Sequence, residues 1–477
     1  MFIYLISGLI FVVIYHYFAL IKRKYNKPKH LSHLKDVPLV SGELPLVGHS
    51  LKFDPTNVNF LNECQQKYGK IFRIKMFITD VIVITDRSLL EEYYKTEETK
   101  LSFITVLIKS FLGAGISQKD EFINTALSLI KANLKINYDD YIPKIKSECT
   151  NMVQFIKNMP KGKSIDVNSF VRKFIISSST KCFLSIDLDE KSYNMILNYV
   201  DLLGKIFISS AIIPRIILEI TAKPILRYYR KYIVDFFKPT IDKYRNDPEF
   251  NDSIILRKSI DFIDSKTNTK LTDDQIGGIM ISAIFASYGS TSLGLSAMIS
   301  DLISNPEYWY RIRNETGSLD NDMLKSAKLL DASFWETCRT SSSFLTVLRY
   351  AVTPNESVGD YYLGQNILIG FCASLLMVDE ENTMGIFENS QKYDPERYLA
   401  PRNEKISSSS IVTFGGKKHF CPGRNFAKME ILMAIAYLTK YFEPFKIVEI
   451  SKSGMMTAGG FVERKTFMIV ADESNEN

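Results

Sequence analysis

Cys421 is the residue around which chemistry can be built. It lies in FGGKKHFCPGRNFAKMEILMAIAYL (Phe414 to Leu438), where a glycine-containing loop delivers Cys, Pro and Gly to the start of a strongly amphipathic helix able to bury Phe426, Met429, Leu432 and Met433. A helix N-terminus and the nearby cations Lys417, Lys418 and Arg424 favour the thiolate, the form of cysteine that binds a metal. The other cysteines, Cys64, Cys149, Cys182, Cys338 and Cys372, are scattered without a CxxC pair or zinc-like spacing. With no second Cys or His at chelating distance, zinc and iron–sulfur sites are poorly served. A single thiolate suits haem iron, because the porphyrin supplies the in-plane ligands. In isolation, a lone cysteine is more often an inert buried thiol.

Two further constellations accompany it. Glu336 and Arg339 stand three apart on one helical face, and the segment from Tyr393 through Asp394, Pro395, Glu396 and Arg397 to Tyr398 supplies a second arginine after a turn. An i,i+3 ion pair alone is usually a solvated helix contact. A long helix begins at Thr272, where TDDQ forms a capping box with acids in the first turn, and runs about 50 Å toward Asn305-Pro306. No charge lies between Gln275 and Ser300, so a membrane span rivals a buried core helix. Glycines such as Gly277, Gly278, Gly289 and Gly294 and the serines beside them dilute the hydrophobicity, which favours the core helix. In its middle, Ala286-Ser287-Tyr288-Gly289-Ser290-Thr291 offers hydroxyls without a carboxylate. Any one of these packs or bonds back to an i−4 carbonyl as readily as it takes part in chemistry.

In this order and at these separations, the elements resemble those of the cytochrome P450 family, from Pro38 onward. The family's haem loop reads F-G-x-G-x-[RH]-x-C-x-G, matched by Phe414, Gly415, His419, Cys421 and Gly423. The resemblance implies iron protoporphyrin IX with Cys421 as axial thiolate, Phe414 beside the sulfur and His419 on a haem propionate. It also implies that Glu336, Arg339 and Arg397 interlock beneath the loop, as the family's ExxR and PERF elements do. Ser290 and Thr291 then supply the hydroxyl of the oxygen-side helix. The sequence departs from the family at three places. Lys417 stands where the family has glycine, with Gly416 available for a shifted turn. Gly289 stands where the family has an acid, a pattern closer to bile-acid hydroxylases and prostacyclin synthase and, more loosely, to sterol 14-demethylases. No WxxxR exists, since the tryptophans are Trp309 and Trp335; Lys131 and Lys135 lie in the right part of the chain without motif support.

The implied fold is mainly α with a small β domain. The implied reaction is insertion of one oxygen atom from O2 into an apolar substrate, a sterol or other lipid. Electrons come from an external NADPH-dependent flavoprotein reductase, because no Gly-x-Gly-x-x-Gly segment binds a dinucleotide here. Lys417, Lys418, Arg424 and Lys428 are a candidate docking face for it. Two alternatives stand beside this: a haem-thiolate isomerase or dehydratase of a lipid peroxide, and a non-catalytic haem-binding relative.

The elements that must position these residues follow from the rest of the chain. Phe2 to Ile21 is free of Asp, Glu, Lys and Arg and long enough to cross a bilayer. Lys22, Arg23, Lys24, Lys27 and Lys29 follow it and hold the downstream chain on the cytosolic side. The expected organisation is an anchor at 1–21, a basic Pro/Gly-containing linker at 22–48 and one haem-binding catalytic domain at 49–477. That places the protein as a single-pass membrane protein, in the endoplasmic reticulum if eukaryotic. The sequons at Asn251, Asn314 and Asn355 then stay bare. IFRIKMF and DVIVITD read as strands, residues from about Ser88 to about Glu315 as mostly helical, and Leu345–Val352, Tyr361–Leu368 and Phe467–Val470 as returning strands. A net charge of +6 without a compact basic stripe excludes a nucleic-acid partner.

Overall fold

The computed structural model describes residues 27–470 apart from 46, 53–57, 78, 107–119, 135–137, 161, 210–214, 265–266, 320–321, 343–345, 384, 408–409 and 451–466. The expected anchor at 1–21 and the first part of the basic linker lie outside the described residues.

Helix α1 (Asn59–Tyr68) precedes a hairpin of β1 (Ile71–Met76) and β2 (Thr79–Ile84), the two strands expected from their β-branched runs. Asp86 caps helix α2 (Arg87–Lys95) by accepting from the Ser88 N–H, and the short strand β3 (Leu101–Ser102) follows. The helical body comprises α3 (Asp120–Asn133), α4 (Ile142–Lys157), α5 (Val167–Leu184), α6 (Glu190–Ser209), α7 (Arg215–Thr221), α8 (Lys223–Asn246), α9 (Ile254–Asp261), α10 (Asp273–Ser304), α11 (Pro306–Glu315) and α12 (Lys328–Thr340). Strands β4 (Thr346–Ala351) and β5 (Leu368–Phe371) return to the first hairpin and give a sheet of order β1-β2-β5-β4-β3. In it β5 runs parallel to β2, with Val81 opposite Leu368 and Ile84 opposite Phe371. Because β2 is paired on both edges and covered on both faces, Val81 to Ile84 are all buried. Tyr361–Leu368 is not one strand. Tyr361–Tyr362 joins a separate small sheet with Lys35–Asp36, and positive φ at Gly364 and Asn366 turns the chain before β5.

The Cys421 loop leads into α13 (Arg424–Tyr441). Phe426, Met429, Leu432 and Met433 are buried as expected, but the helix is not amphipathic: burial is continuous from Met429 to Thr439. It is surrounded by α4, α10, α11 and α12, so nearly every face meets protein. Each large side chain taken from water this way contributes about 1.5–3 kcal/mol.

Helix α10 begins with the expected capping box, Thr272 accepting from the Gln275 N–H while Gln275 accepts from the Thr272 N–H. Its most apolar stretch is 72% buried within the fold, so α10 is a core helix. The glycine pair at its start lets α8 approach. A Cβ on Gly277 would lie 2.7 Å from Val234 Cγ2, and one on Gly278 would lie 2.8 Å from an Arg230 guanidinium nitrogen. Arg230 then pairs with Asp274 at 2.8 Å, which joins α8 to the positive end of the α10 dipole.

Candidate active site

Three backbone features carry Cys421 to its place. Gly415 takes φ +70°, and a Cβ there would meet the His419 carbonyl oxygen at 2.6 Å, so the loop folds back on itself only with glycine. Lys417 takes the left-handed φ of +50° itself, while Gly416 is extended. The shifted turn expected at Gly416 therefore does not form; Tyr94, 2.8 Å from an ideal Cβ on Gly416, explains why that residue is glycine. Finally, the Cys421 N–H donates to the Phe414 carbonyl at 2.8 Å and closes the loop ahead of Gly423, the residue that precedes α13.

Five of the six cysteines are buried and Cys421 alone is half-exposed. Burial nonetheless pushes its thiol above the ordinary range, against the Gly423 and Arg424 backbone N–H groups and the Arg424 charge, which pull it down. The helix start and the cation thus act in the expected direction, but desolvation outweighs them, which corrects the expected net lowering. Phe414, also half-buried, stacks on Phe334 with centroids 6.2 Å apart and meets Trp335 edge-on. His419 is half-buried in the same turn, and a Cβ on Gly423 would stand 4.0 Å from the Cys421 sulfur.

Glu336, Arg339 and Arg397 come together with no exposure at all. Glu336 accepts from Arg339 Nη2 at 2.7 Å and Nε at 2.9 Å, and from Arg397 Nε at 3.1 Å. It also accepts from the Asp394 N–H at 2.8 Å and the Tyr398 hydroxyl at 3.1 Å. Other guanidinium protons go to the carbonyls of Met377 from Arg339 at 2.8 Å and of Glu388 from Arg397 at 2.9 Å, and to a second carboxylate, Glu404, from Arg397 at 2.9 Å. A buried ion cluster holds only when its groups are satisfied in this way. Tyr398 is a member that motif reasoning passed over, because a hydroxyl at that position has no meaning until the carboxylate lies beneath it.

Along the middle of α10, burial is interrupted. Ala286 is exposed, and Ser282, Gly289 and Ser290 at helical spacing from it are half-buried, whereas Thr291 to Ile299 are buried. A Cβ on Gly289 would meet nothing within 4 Å. One stripe of a core helix therefore borders open space, a cradle that side chains leave unfilled. Ser290 lies on this stripe, its hydroxyl 3.4 Å from the Ala286 carbonyl, while Thr291 points into the packed side with 2% exposure. Helix α13, which starts at the Cys421 loop, packs against α10. A half-buried Cys421 and an open helix stripe, on elements linked by the packing of α13 against α10, fit a flat macrocycle held by one cysteine thiolate.

The cations near the loop are partly neutralised. Lys417 pairs with Glu91 at 2.8 Å, Lys428 pairs with Asp331, and the Arg424 guanidinium sits 4.4 Å over the Phe420 ring. The side chain of Lys418 lies outside the description, as does Lys135; Lys131 is exposed on α3.

The profile of the cytochrome P450 family matches residues 38–462. The chain belongs to the cytochrome P450 family. Membership brings haem with a cysteine thiolate as axial ligand, the monooxygenase class of enzyme, and the use of O2, hydrophobic substrates and redox partners. This P450 is 33% identical over 433 residues to a protein of Acanthamoeba polyphaga mimivirus described as a probable lanosterol 14-alpha demethylase. That alignment covers 89% of this chain but 61% of the mimivirus protein, so the chain spans less than two thirds of that relative. It is 22% identical over 430 residues to the sterol 14alpha-demethylase of Mycolicibacterium vanbaalenii, covering 87% of this chain and 92% of that one. The lanosterol 14-alpha demethylase of Homo sapiens is 22% identical over 431 residues, covering 86% and 81%. Among solved structures, the retinoic acid-bound cyanobacterial CYP120A1 superimposes with a TM-score of 0.74 at 17% identity, covering 92% of this P450 and all of that chain. That likeness establishes the fold: mostly helical, with small sheets.

Proposed function

We propose that this P450 oxidises a sterol, with Cys421 as the axial ligand of its haem and the open stripe of α10 as the wall against which substrate and oxygen meet. The observation that carries the reading is the pairing of the half-exposed Cys421 with the uncovered Ala286–Gly289–Ser290 stripe, in a chain whose relatives include sterol 14-demethylases. When bound, the haem supplies reductive activation of O2 and insertion of one oxygen atom, the second leaving as water.

The chain's own residues do the rest. The Gly423 and Arg424 N–H groups and the Arg424 charge stabilise negative charge on the sulfur. Gly415 and the Cys421 to Phe414 hydrogen bond fix where that sulfur stands, and the Glu336 cluster supports the loop from below. His419 is assigned to a haem propionate and Ser290 to a hydrogen bond on the oxygen side. The apolar core around α10 keeps water from the reacting centre. Electrons are assigned to an NADPH-dependent flavoprotein reductase. A membrane-bound placement with the catalytic body in the cytosol is supported by the basic run after Ile21 and by Ile220, Ile225 and Tyr228, which expose 69%, 50% and 67% of their surface on α7 and α8.

The test is a substrate panel on the haem-loaded protein. Lanosterol and related sterols are expected to displace the sixth ligand and to be oxidised only with NADPH and a reductase. Binding of fatty acids but not sterols would contradict the substrate class. One observation favours a second reading: Gly289 leaves the oxygen side without a carboxylate, as suits a lipid-peroxide isomerase. Product from a lipid peroxide without NADPH would favour it.

A further inference from the structure

Of the three cations whose side chains are described beside the cysteine loop, two are neutralised: Lys417 by Glu91 and Lys428 by Asp331. Arg424 has no ion pair among the described residues, and its Nε donates to the neighbouring Asn425 Oδ1 at 3.3 Å. It is also the first residue of α13, where a cation opposes the positive end of the helix dipole. A charge so placed needs stabilisation from elsewhere.

Two aromatic rings and one sulfur supply it. The guanidinium carbon lies 4.4 Å from the centre of the Phe420 ring and 5.8 Å from that of Trp335, over both faces. Trp335 is buried on α12 and fixed in place. Its Nε1 donates to Asp331 Oδ2 at 3.1 Å, and its ring meets Phe334 and Phe414 edge-on. Asp331 is held in turn by Lys428. Arg424 itself acts on the Cys421 sulfur through its backbone N–H and its charge. The row Asp331, Trp335, Arg424 thus ends at the sulfur, and each member is oriented by the one before it.

We propose that Arg424 sets the reduction potential of the haem held by Cys421, and that Trp335 is the residue that seats Arg424 for this purpose. The proposal rests on Cys421 as the axial ligand and is independent of the sterol assignment. Reduction of ferric to ferrous haem takes one electron from the redox partner and, with the thiolate retained, no proton. The haem and its thiolate together therefore gain one negative charge. A cation without a counter-charge beside the sulfur favours that reduced state, and does so more strongly the less water surrounds it. A guanidinium tolerates this position because it stacks on rings and is weakly hydrated. Lys417 is the contrasting case: a cation of the same loop, but exposed and paired with Glu91. Arg424 acts through Cys421 and Trp335 through Arg424, so both are positioning residues.

The experiment is a spectroelectrochemical titration of the haem-loaded, substrate-free protein at physiological ionic strength. It compares wild type with Arg424→Gln, Trp335→Leu, Trp335→Phe and Lys417→Gln. In Arg424→Gln the ferrous-to-ferric equilibrium constant is expected to fall about tenfold, a downward shift of about 59 mV for a one-electron couple. Trp335→Leu keeps the arginine but removes one of its rings, and is expected to fall about threefold or more. Trp335→Phe restores a ring and stays within about twofold of wild type. Lys417→Gln also stays within about twofold, because solvent and salt screen that position. An unmoved potential in Arg424→Gln overturns the proposal, as does an equal fall in Lys417→Gln, which would make Arg424 one surface charge among others. A Trp335→Leu protein that takes up haem and keeps the wild-type potential overturns the seating role. If Trp335→Leu does not take up haem, a fall in Trp335→Phe matching that of Arg424→Gln overturns the role instead, since a ring should suffice. The reduced, carbon monoxide-bound spectrum of the same samples separates the two failures. Absence of a thiolate band in wild type strikes the ligand assignment, whereas a thiolate band with an unmoved potential in Arg424→Gln strikes this proposal alone.

Discussion

The ammonium of Lys417 lies 2.8 Å from Glu91 Oε1, while the backbone of Lys417 occupies the left-handed region at φ +50°. The ion pair links the cysteine loop to α2 across solvent and pulls Glu91 below the usual carboxylate range. A pair so exposed adds little to stability. The backbone strain of a side-chain-bearing residue in this region costs about 1–2 kcal/mol. Lys417→Gly is therefore expected to raise the thermal midpoint of the haem-loaded protein and leave its absorption spectrum unchanged. A lowered midpoint would mean that the pair with Glu91 matters more than the strain.

Glu336→Gln removes the one carboxylate that Arg339 and Arg397 share, leaving the Arg339 guanidinium buried without a counter-charge and Arg397 with Glu404 alone. The expected loss is about 3–5 kcal/mol with failure to retain haem. Tyr398→Phe removes only one hydrogen bond to that carboxylate and should cost about 1.5–3 kcal/mol while haem is kept. Chemical unfolding of the two variants side by side separates these cases, and equal losses would argue against the cluster as described.

Glu430 gives stability a pH dependence. Its folded value of about 8 lies above the ordinary 4.5, so between these two values the folded state holds a proton that the unfolded chain has released. Stability from this group is fully present below about 4.5 and is lost as pH rises through about 8. The slope between them corresponds to about 1.4 kcal/mol per pH unit at most. Relative to Glu430→Gln, the wild type should weaken across that window, measured as denaturant midpoints against pH. A difference that stays flat with pH would show that Glu430 is ionised in the fold.

Gly289 tests the open stripe. With nothing within 4 Å of its Cβ, Gly289→Ala should be accommodated and should stabilise α10 by up to about 1 kcal/mol. Gly289→Phe projects into the same space and should abolish the spectral response to sterols. Retention of that response at full strength would mean that the stripe does not border the substrate site.

Much of this was legible in the sequence, for reasons that can be named. The capping box at Thr272 and the strands of β1 and β2 rest on local rules, and each appears where those rules put it, whereas the meeting of Glu336 with Arg339 and Arg397 was implied by the family resemblance alone. What could not be read depends on tertiary neighbours. The uncovered stripe of α10 is made of Ala, Gly and Ser, residues that in sequence look like close helix packing. Glu430 looks like one polar residue of a helix until α4, α10, α11 and α12 close around α13. The direction of the Cys421 shift follows from desolvation, which no spacing encodes, and the need for glycine at 416 from Tyr94 packed against it.

The most direct measurement is the absorption spectrum of the reduced, carbon monoxide-bound protein, taken for wild type and for Cys421→Ala. The thiolate-type band should be present in wild type and absent in the variant, with Glu336→Gln scored separately for haem content. A histidine-type band in well-loaded wild type, or a thiolate band that survives in Cys421→Ala, would contradict the account.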